Sequence, residues 1–449
     1  MLPDLPSELS ACVLQRCAPA DLARLSRCCR SLHNACNDDQ LWKFLCARDF
    51  WFPTRITART VGWKTLYSRL TSPALFTWGA NGNSATLGRQ TLGFQTLGRH
   101  TSVPYEVDEY EDEDEEGDDN GDEGGSLAYI PETLPGRISG LDAAECIVQV
   151  VVLGWGMLAR TRKGAVFSWG RIAEGSRSHQ NPTRLTNEHQ RARQISGGRD
   201  FCILLSDDYK VYWAQSADEG IQLARTNGLS AGEMVVQVAG GWTHGLALTS
   251  QGRILQWSKA AQGAPKCIEP PDVGLDSLWA GVAGGEGFTV AITRGGNAYK
   301  WSTDREPLLT KVDEVSVRYT HVSAAFRNYA LFSPPNPSMS RSSSSLGDRP
   351  VRVHSTADGS FRDISIPLNV ATGDDRIIQI VFGDWHTAAL TQNGRLFTWG
   401  GGGGGQLGHG SCANENEPRG VEALNSAGWF VFQISAAGWQ TACLAVRTD

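Results

Sequence analysis

Trp169, Trp213, Trp257 and Trp301 stand 44 residues apart in an unbroken series, each near the end of a stretch that resembles the others. These stretches are "VVVLGWGMLARTRKGAVFSWG" from Val150, "ISGGRDFCILLSDDYKVYWA" from Ile195, "VAGGWTHGLALTSQGRILQWS" from Val238 and "VAGGEGFTVAITRGGNAYKWS" from Val282. "IVFGDWHTAALTQNGRLFTWG" from Ile380 is a fifth, and weaker copies beginning at Val322 and Ile434 bring the set to seven units. A period of this size constrains the fold severely. One such unit cannot bury its apolar face alone and must stack on the next.

Within a unit the local chemistry is that of a β-hairpin: His244 to Leu248 alternates as a buried strand, "SQG" turns the chain, and Arg253 to Trp257 runs back. In the unit from Ile380, Asn393-Gly394 predicts a primed turn with positive φ at both central residues. About 44 residues suffice for four short strands, the size of a propeller blade. The last copy ends before any tryptophan-bearing strand, whereas "LFTWG" at Leu75–Gly79 duplicates Leu396–Gly400 and has no glycine-rich strand before it. The expectation is a ring whose last blade is completed by an N-terminal strand, which removes most exposed sheet edges.

Residues 1–74 do not share the period; their apolar residues recur at three and four, as on helices. Pro6 stands at a helix start with Leu9, Val13 and Leu14 on one stripe, Asp21 is placed to cap a second helix carrying Leu22, Leu25 and Cys29, and Leu41 with Trp42 opens a third. Short helices of this extent bury too little surface to be stable alone, so a partner is expected. The chain reads as multidomain: an all-α unit over 1–74, then an all-β seven-bladed propeller over 75–449, interrupted by an acidic insertion at 106–125 and a Ser/Pro-rich one at 333–350.

Charge is unevenly spread. Thirteen acidic residues fall between Glu106 and Glu123, and without them the formal charge of −7 becomes +6; such a block stays solvated. The eleven cysteines include no CxxC pair, which argues against a zinc finger or a secreted disulfide framework and for reduced thiols. The opening "MLPDLPSELS" has no basic stretch followed by an apolar run, and no segment reaches the ~18 apolar residues of a membrane span. No membrane partner, metal or cofactor is expected, and the predicted location is cytoplasmic and/or nuclear.

The units resemble the regulator of chromosome condensation repeat, whose signature joins G-x-x-H-T-x-x-L-T to W-G-x-N-x-x-G-Q-L-G-H-G. Gly383, His386, Thr387, Leu390 and Thr391 carry its first half, and "WGGGGGGQLGHG" from Trp399 and "WGANGNSATLGR" from Trp78 its second. The N-terminal stretch resembles an F-box through Leu5-Pro6, Glu8-Leu9, Asp21-Leu22, "LSRCCRSL" from Leu25 and Leu41-Trp42; "WKTLY" from Trp63 resembles the segment that follows one. An F-box joined to these repeats is similar to the fungal SCF-associated factor family. That resemblance implies a non-catalytic receptor of a ubiquitin ligase, which binds a Skp-type adaptor, and through it a cullin, and presents a protein substrate for degradation. Leu5, Pro6, Leu9, Leu14, Leu22, Leu25 and Trp42 are then the residues of the adaptor interface or its supporting core.

No shared catalytic task is legible. At the histidine position the seven units carry Gly156, Phe201, His244, Phe288, Asn328, His386 and Gln440, and a general base cannot be exchanged so freely. The glycine run Gly400–Gly405 lacks the Gly-Lys-Ser/Thr ending of a phosphate loop. The ring is therefore expected to read a protein. Loops preceding the histidine position should meet at one end of the ring, which selects Trp155, Arg199, Asp200, Trp242, Glu286, Phe326, Arg327, Trp385 and Trp439 as the substrate face. The alternative implied by the repeat is nucleotide exchange on a Ran-like GTPase. The acidic pI of about 5.8 and the lack of a basic tail argue against nucleic acid as a partner.

Overall fold

The computed structural model describes residues 7–50, 52, 62–81, 87, 130–138, 146–312, 318–333, 351–364 and 375–448. The acidic insertion and residues 334–350 lie outside them, as do Leu5 and Pro6.

Seven four-stranded antiparallel sheets form the blades of a propeller. The innermost strands, blades 1 to 7, are Ile147–Val152, Ala192–Gly197, Val235–Gly240, Trp279–Gly284, His321–Ala325, Ile377–Phe382 and Trp429–Ala437. Blade 7 closes the ring: its two inner strands, Trp429–Ala437 and Gln440–Arg447, come from the C-terminal end, and its two outer strands, Ala74–Asn81 and Ile130–Arg137, from the N-terminal side. Trp78 pairs with Thr441 in the register that Trp399 adopts with Thr387 in blade 6, so "LFTWG" occupies equivalent places in both. Two strands rather than one are thus contributed across the closure.

The repeated tryptophans lie on the third strands and are buried: Trp78, Trp169, Trp213, Trp257, Trp301 and Trp399. Blade 5 has none. There His354 stands opposite Tyr329, and the two rings stack 4.6 Å apart at 1°. The hairpin turn at Asn393-Gly394 differs from the expected primed form, because Gly394 has φ 73° while Asn393 is absent from the positive-φ residues. The Gly394 amide donates to the Thr391 carbonyl at 3.0 Å, so Gln392-Asn393 form an ordinary turn followed by one left-handed glycine.

The histidine position is a packing device. A Cβ on Gly241 would fall 2.0 Å from the His244 ring, and one on Gly383 would fall 2.1 Å from that of His386. Phe201 and Phe288 take the same place over Gly198 and Gly285. Each imidazole also reaches the next blade, His244 Nε2 to Thr289 Oγ1 at 3.0 Å and His386 Nε2 to Thr441 Oγ1 at 2.8 Å. Burial lowers the His244 pKa to about 4 and that of His386 to about 3, so both are neutral.

A second device joins the blades. In five of the inner strands the residue after a β-bulge is glutamine, whose amide meets the backbone of the following blade. Gln149 donates to the Ile195 carbonyl at 2.8 Å and accepts from its amide at 3.1 Å. Gln194 bonds Val238, Gln379 bonds Ile434 and Gln433 bonds Val150 in the same two-way manner, while Gln237 donates to Val282. Gly281 and His321 hold this register in blades 4 and 5.

The N-terminal unit folds as α1 (Ser7–Leu14), α2 (Pro19–Leu25), α3 (Arg30–Cys36), α4 (Asp39–Phe50) and α5 (Gly62–Arg69). Helix α2 starts at Pro19, so Asp21 lies in its first turn and is not its cap; proline's fixed φ sets that start. Cys29 lies outside α2 and precedes α3, a helix the apolar spacing did not single out. Asp38 caps α4, its Oδ1 accepting from the amides of Gln40 at 2.8 Å and Leu41 at 3.1 Å.

This unit shares one apolar core with blades 6, 7 and 1. Phe52 lies 5.5 Å from Phe432, the Arg162 guanidinium 4.9 Å over Phe50, and Cys146 Sγ 3.1 Å from the Leu70 carbonyl. Tyr67 donates to Asp49 at 2.5 Å, with Arg162 at 4.0 Å from the same carboxylate. These ring residues lie where inner strands begin and second strands turn, which fixes the end of the ring that the helices occupy.

Candidate protein-binding surfaces

The loops joining first to second strands lie at the opposite end of the ring from the helices. They are tied to one another by backbone bonds: Arg199 N to Trp242 O at 2.9 Å, Trp242 N to Gly285 O at 3.0 Å, Glu286 N to Phe326 O at 2.7 Å and Asp384 N to Gly438 O at 3.0 Å. Such a rim is preorganised, since these bonds hold the loops of blades 2 to 5 together and that of blade 6 to that of blade 7.

Its side chains form a connected set. The Arg199 guanidinium sits between two indoles, 4.7 Å from Trp155 and 4.4 Å from Trp242, and its Nη1 lies 3.3 Å from Asp384 Oδ2 of blade 6. Arg199 thereby bridges loops of blades 1, 2, 3 and 6 across the mouth of the central channel, a cavity of about 310 Å³ lined by the inner strands. Burial pushes the Asp384 carboxyl above the ordinary carboxylate range, against the pull of Arg199. Trp242 stacks on Phe326 at 4.8 Å, and Phe326 meets Trp385 edge-on at 5.9 Å. Arg327 pairs with Glu286 at 2.9 Å and lies 4.9 Å over Phe326, whose own φ is 45°. Asp200 accepts from the Trp155 indole at 3.0 Å and from the Glu174 amide at 3.2 Å.

All nine residues selected from the sequence for this face lie on that rim, where Trp385 and Trp439 are the most open indoles, 60% and 38% exposed. Asp384, which links Arg199 to blade 6, was not selected. Its signal was its place beside Trp385 in "GDWH".

The helical surface divides differently. Leu14, Leu22 and Trp42 are buried, and Leu25 is half-buried against the same core, so these leucines and the indole hold the unit together and offer little to a partner. Trp42 Nε1 is satisfied internally by the Cys36 carbonyl at 2.8 Å. Leu9 is 53% exposed, and Val13 and Phe44, which the apolar pattern did not separate from core, are 37% and 41% exposed. Leu9 and Val13 lie four apart on α1 and share a face. Among the described residues no group of three histidine, cysteine, aspartate or glutamate side chains could hold a metal ion.

Comparison with known proteins agrees with both halves. Residues 2–48 match the F-box-like family, and residues 377–406 and 393–444 match the regulator of chromosome condensation (RCC1) repeat. The ultraviolet-B receptor UVR8 of Arabidopsis thaliana is 25% identical over 297 residues, which are 60% of this chain and 57% of that protein. The human RCC1 domain-containing protein 1 is 40% identical over 74 residues, 16% of this chain and 19% of that one. The chain thus spans less than two thirds of the length of these relatives. The crystal structure of Prp20p from Saccharomyces cerevisiae superposes with a TM-score of 0.59 at 15% identity, covering 88% of this chain and 96% of that one, which shows the fold. The chain therefore joins an N-terminal region that matches the F-box-like family to a seven-bladed propeller in which residues 377–444 match the RCC1 repeat.

Proposed function

We propose that this chain is the substrate-recognition subunit of an SCF-type ubiquitin ligase, acting in the cytoplasm and/or nucleus. The helical unit binds a Skp-type adaptor and through it a cullin, and the ring holds the protein to be ubiquitinated. The observation that carries this reading is the division of surfaces. An F-box-like unit keeps Leu9, Val13 and Phe44 exposed, while its other side is spent on the ring, and the aromatic rim faces away at the far end. Exposed apolar side chains on α1 and α4 suit a helix-packing partner. No catalytic group is required of the chain itself.

The test is affinity purification of the full chain against L9E/F44E. Both residues are exposed, so the melting temperature is expected to hold while adaptor and cullin are lost. Equal recovery of the adaptor from both proteins, or its absence from both, rejects the reading.

A second reading rests on the RCC1 repeats: acceleration of nucleotide release from a Ran-like GTPase. The solved Prp20p structure is described with binding to Gsp1p and histones, which is said of that protein. Release of a fluorescent guanine nucleotide with and without the full chain distinguishes the two.

A further inference from the structure

Residues 27–30 read Arg-Cys-Cys-Arg and form the corner between α2 and α3. All four are exposed, and none belongs to the apolar core. The Cys28 amide donates to the Leu25 carbonyl at 3.0 Å, which closes the turn after α2. Cys29 is extended, with φ −158° and ψ 166°, in the place that caps α3. A serine or aspartate there would bond the first amides of the helix, whereas the Cys29 side chain makes no capping bond. Cys28 Sγ donates to the Arg24 carbonyl at 3.6 Å, a weak bond that leaves the sulfur exposed.

The charges around the two thiols are one-sided. Asp21 is spent on Arg24 at 3.2 Å. The guanidiniums of Arg27 and Arg30 have no hydrogen-bond, ion-pair or ring partner among the described residues. Two adjacent exposed sulfurs therefore stand between two uncompensated cations, the electropositive and open setting in which cysteines react. The other cysteines lack one part of this setting or the other. Cys36 and Cys46 of the same unit are buried, and burial raises both thiols, that of Cys46 to about 12. Cys12 on α1 and Cys412 in blade 6 are exposed, but their chain neighbours are uncharged: Ala11 with Val13, and Ser411 with Ala413.

We propose that Cys28 and Cys29 form a modification site for S-thiolation by a small disulfide that carries carboxylates, of the glutathione type. One cysteine gives its proton to solvent and its thiolate attacks a sulfur of the disulfide. The new protein–glutathione S–S bond forms as the old bond breaks, and the second glutathione leaves as a thiolate that takes up a proton. The protein thiol is oxidised and one glutathione is reduced. The adduct persists, because consecutive Cα atoms are only about 3.8 Å apart and an unstrained disulfide needs roughly 4.4–6.8 Å. The neighbouring thiol is thus poorly placed to expel the adduct, and Arg27 and Arg30 attract the carboxylates of the reagent.

The test compares two reagents on the reduced full chain: oxidised glutathione, and bis(2-hydroxyethyl) disulfide, which has the same S–S bond and no charge. Adducts at each cysteine are followed by peptide mass spectrometry. With oxidised glutathione at low ionic strength, the Cys28–Cys29 peptide is expected to be modified about tenfold faster than Cys12 or Cys412. That preference should shrink as salt is raised, with the uncharged reagent, and in R27Q/R30Q at an unchanged melting temperature. Equal rates at Cys12 and Cys412, a preference equally strong with the uncharged reagent, or one that survives in R27Q/R30Q, overturns the proposal. The inference does not depend on the ligase reading: failure of the adaptor to bind leaves it untouched, and thiolation confined to other cysteines leaves the ligase reading untouched.

Discussion

His386 lies over Gly383, hydrogen-bonds Thr441 of the next blade and has its pKa held at about 3; His244 repeats the arrangement at about 4. In the unfolded chain both titrate near the ordinary value of about 6.5. As pH falls below that value the unfolded state binds protons that the folded state refuses, so stability present at neutral pH is lost on the way down to the folded pKa values. The limiting slope is about 1.4 kcal/mol per pH unit for each histidine. Urea midpoints measured between pH 7.5 and 4.5 should therefore fall, and H244F/H386F should flatten the fall. Phenylalanine is the apt replacement because blades 2 and 4 already carry Phe201 and Phe288 over the same glycine. An unchanged slope in that variant would place the acid sensitivity elsewhere. The mixture of residue types at this position was visible in the sequence and argued against catalysis; the packing of His244, His386, Phe201 and Phe288 over a glycine, which shows why imidazole and phenyl exchange there, needed coordinates.

Between elements, the glutamine clasps carry the ring from blade to blade. Gln433 exchanges two hydrogen bonds with Val150, and through it the closing blade is tied to blade 1. Removing that side chain leaves a partly buried amide and carbonyl without their partner, at a cost of about 1–3 kcal/mol. Q433A is expected to lower stability by that amount, read as a fall in the urea midpoint, whereas G281Q should not raise it, because a Cβ there already falls 3.3 Å from Ile292 and 3.5 Å from Val322. The glutamines recur one residue before the strand starts read from the sequence, a signal that was on the page as Gln149, Gln194, Gln237, Gln379 and Gln433. Their meaning was not legible, because the partner of each is one repeat away and only the bulge aims the side chain there. Blade 5 shows the converse. Its tryptophan is gone, and the Tyr329–His354 stack that replaces it has no counterpart among the described residues of the other units.

In the whole molecule, helices and ring share a core, so the two should not melt separately. Calorimetry of the full chain is expected to show a single transition, and F432A, which removes the ring against which Phe52 packs, should lower it by about 3–5 kcal/mol of stability. Two transitions, or an effect of F432A confined to one, would contradict the joined core. That junction also decides the geometry of any assembly: a partner on Leu9 and Phe44 and a protein on the Trp385 rim meet opposite ends of one body.

The period of 44 residues and the orphan "LFTWG" determined the ring, its seven inner strands and its closure, since repetition and alternation are local properties that every copy restates. The apolar spacing of the first residues likewise announced helices. What tertiary structure alone decided is which of those apolar residues remain outside, Leu9 and Phe44 and not Leu14, Leu22 or Trp42, and that Arg199 reaches Asp384 across the channel mouth. Burial and contact between loops 185 residues apart depend on how the strands curve around the axis, and no local pattern encodes that.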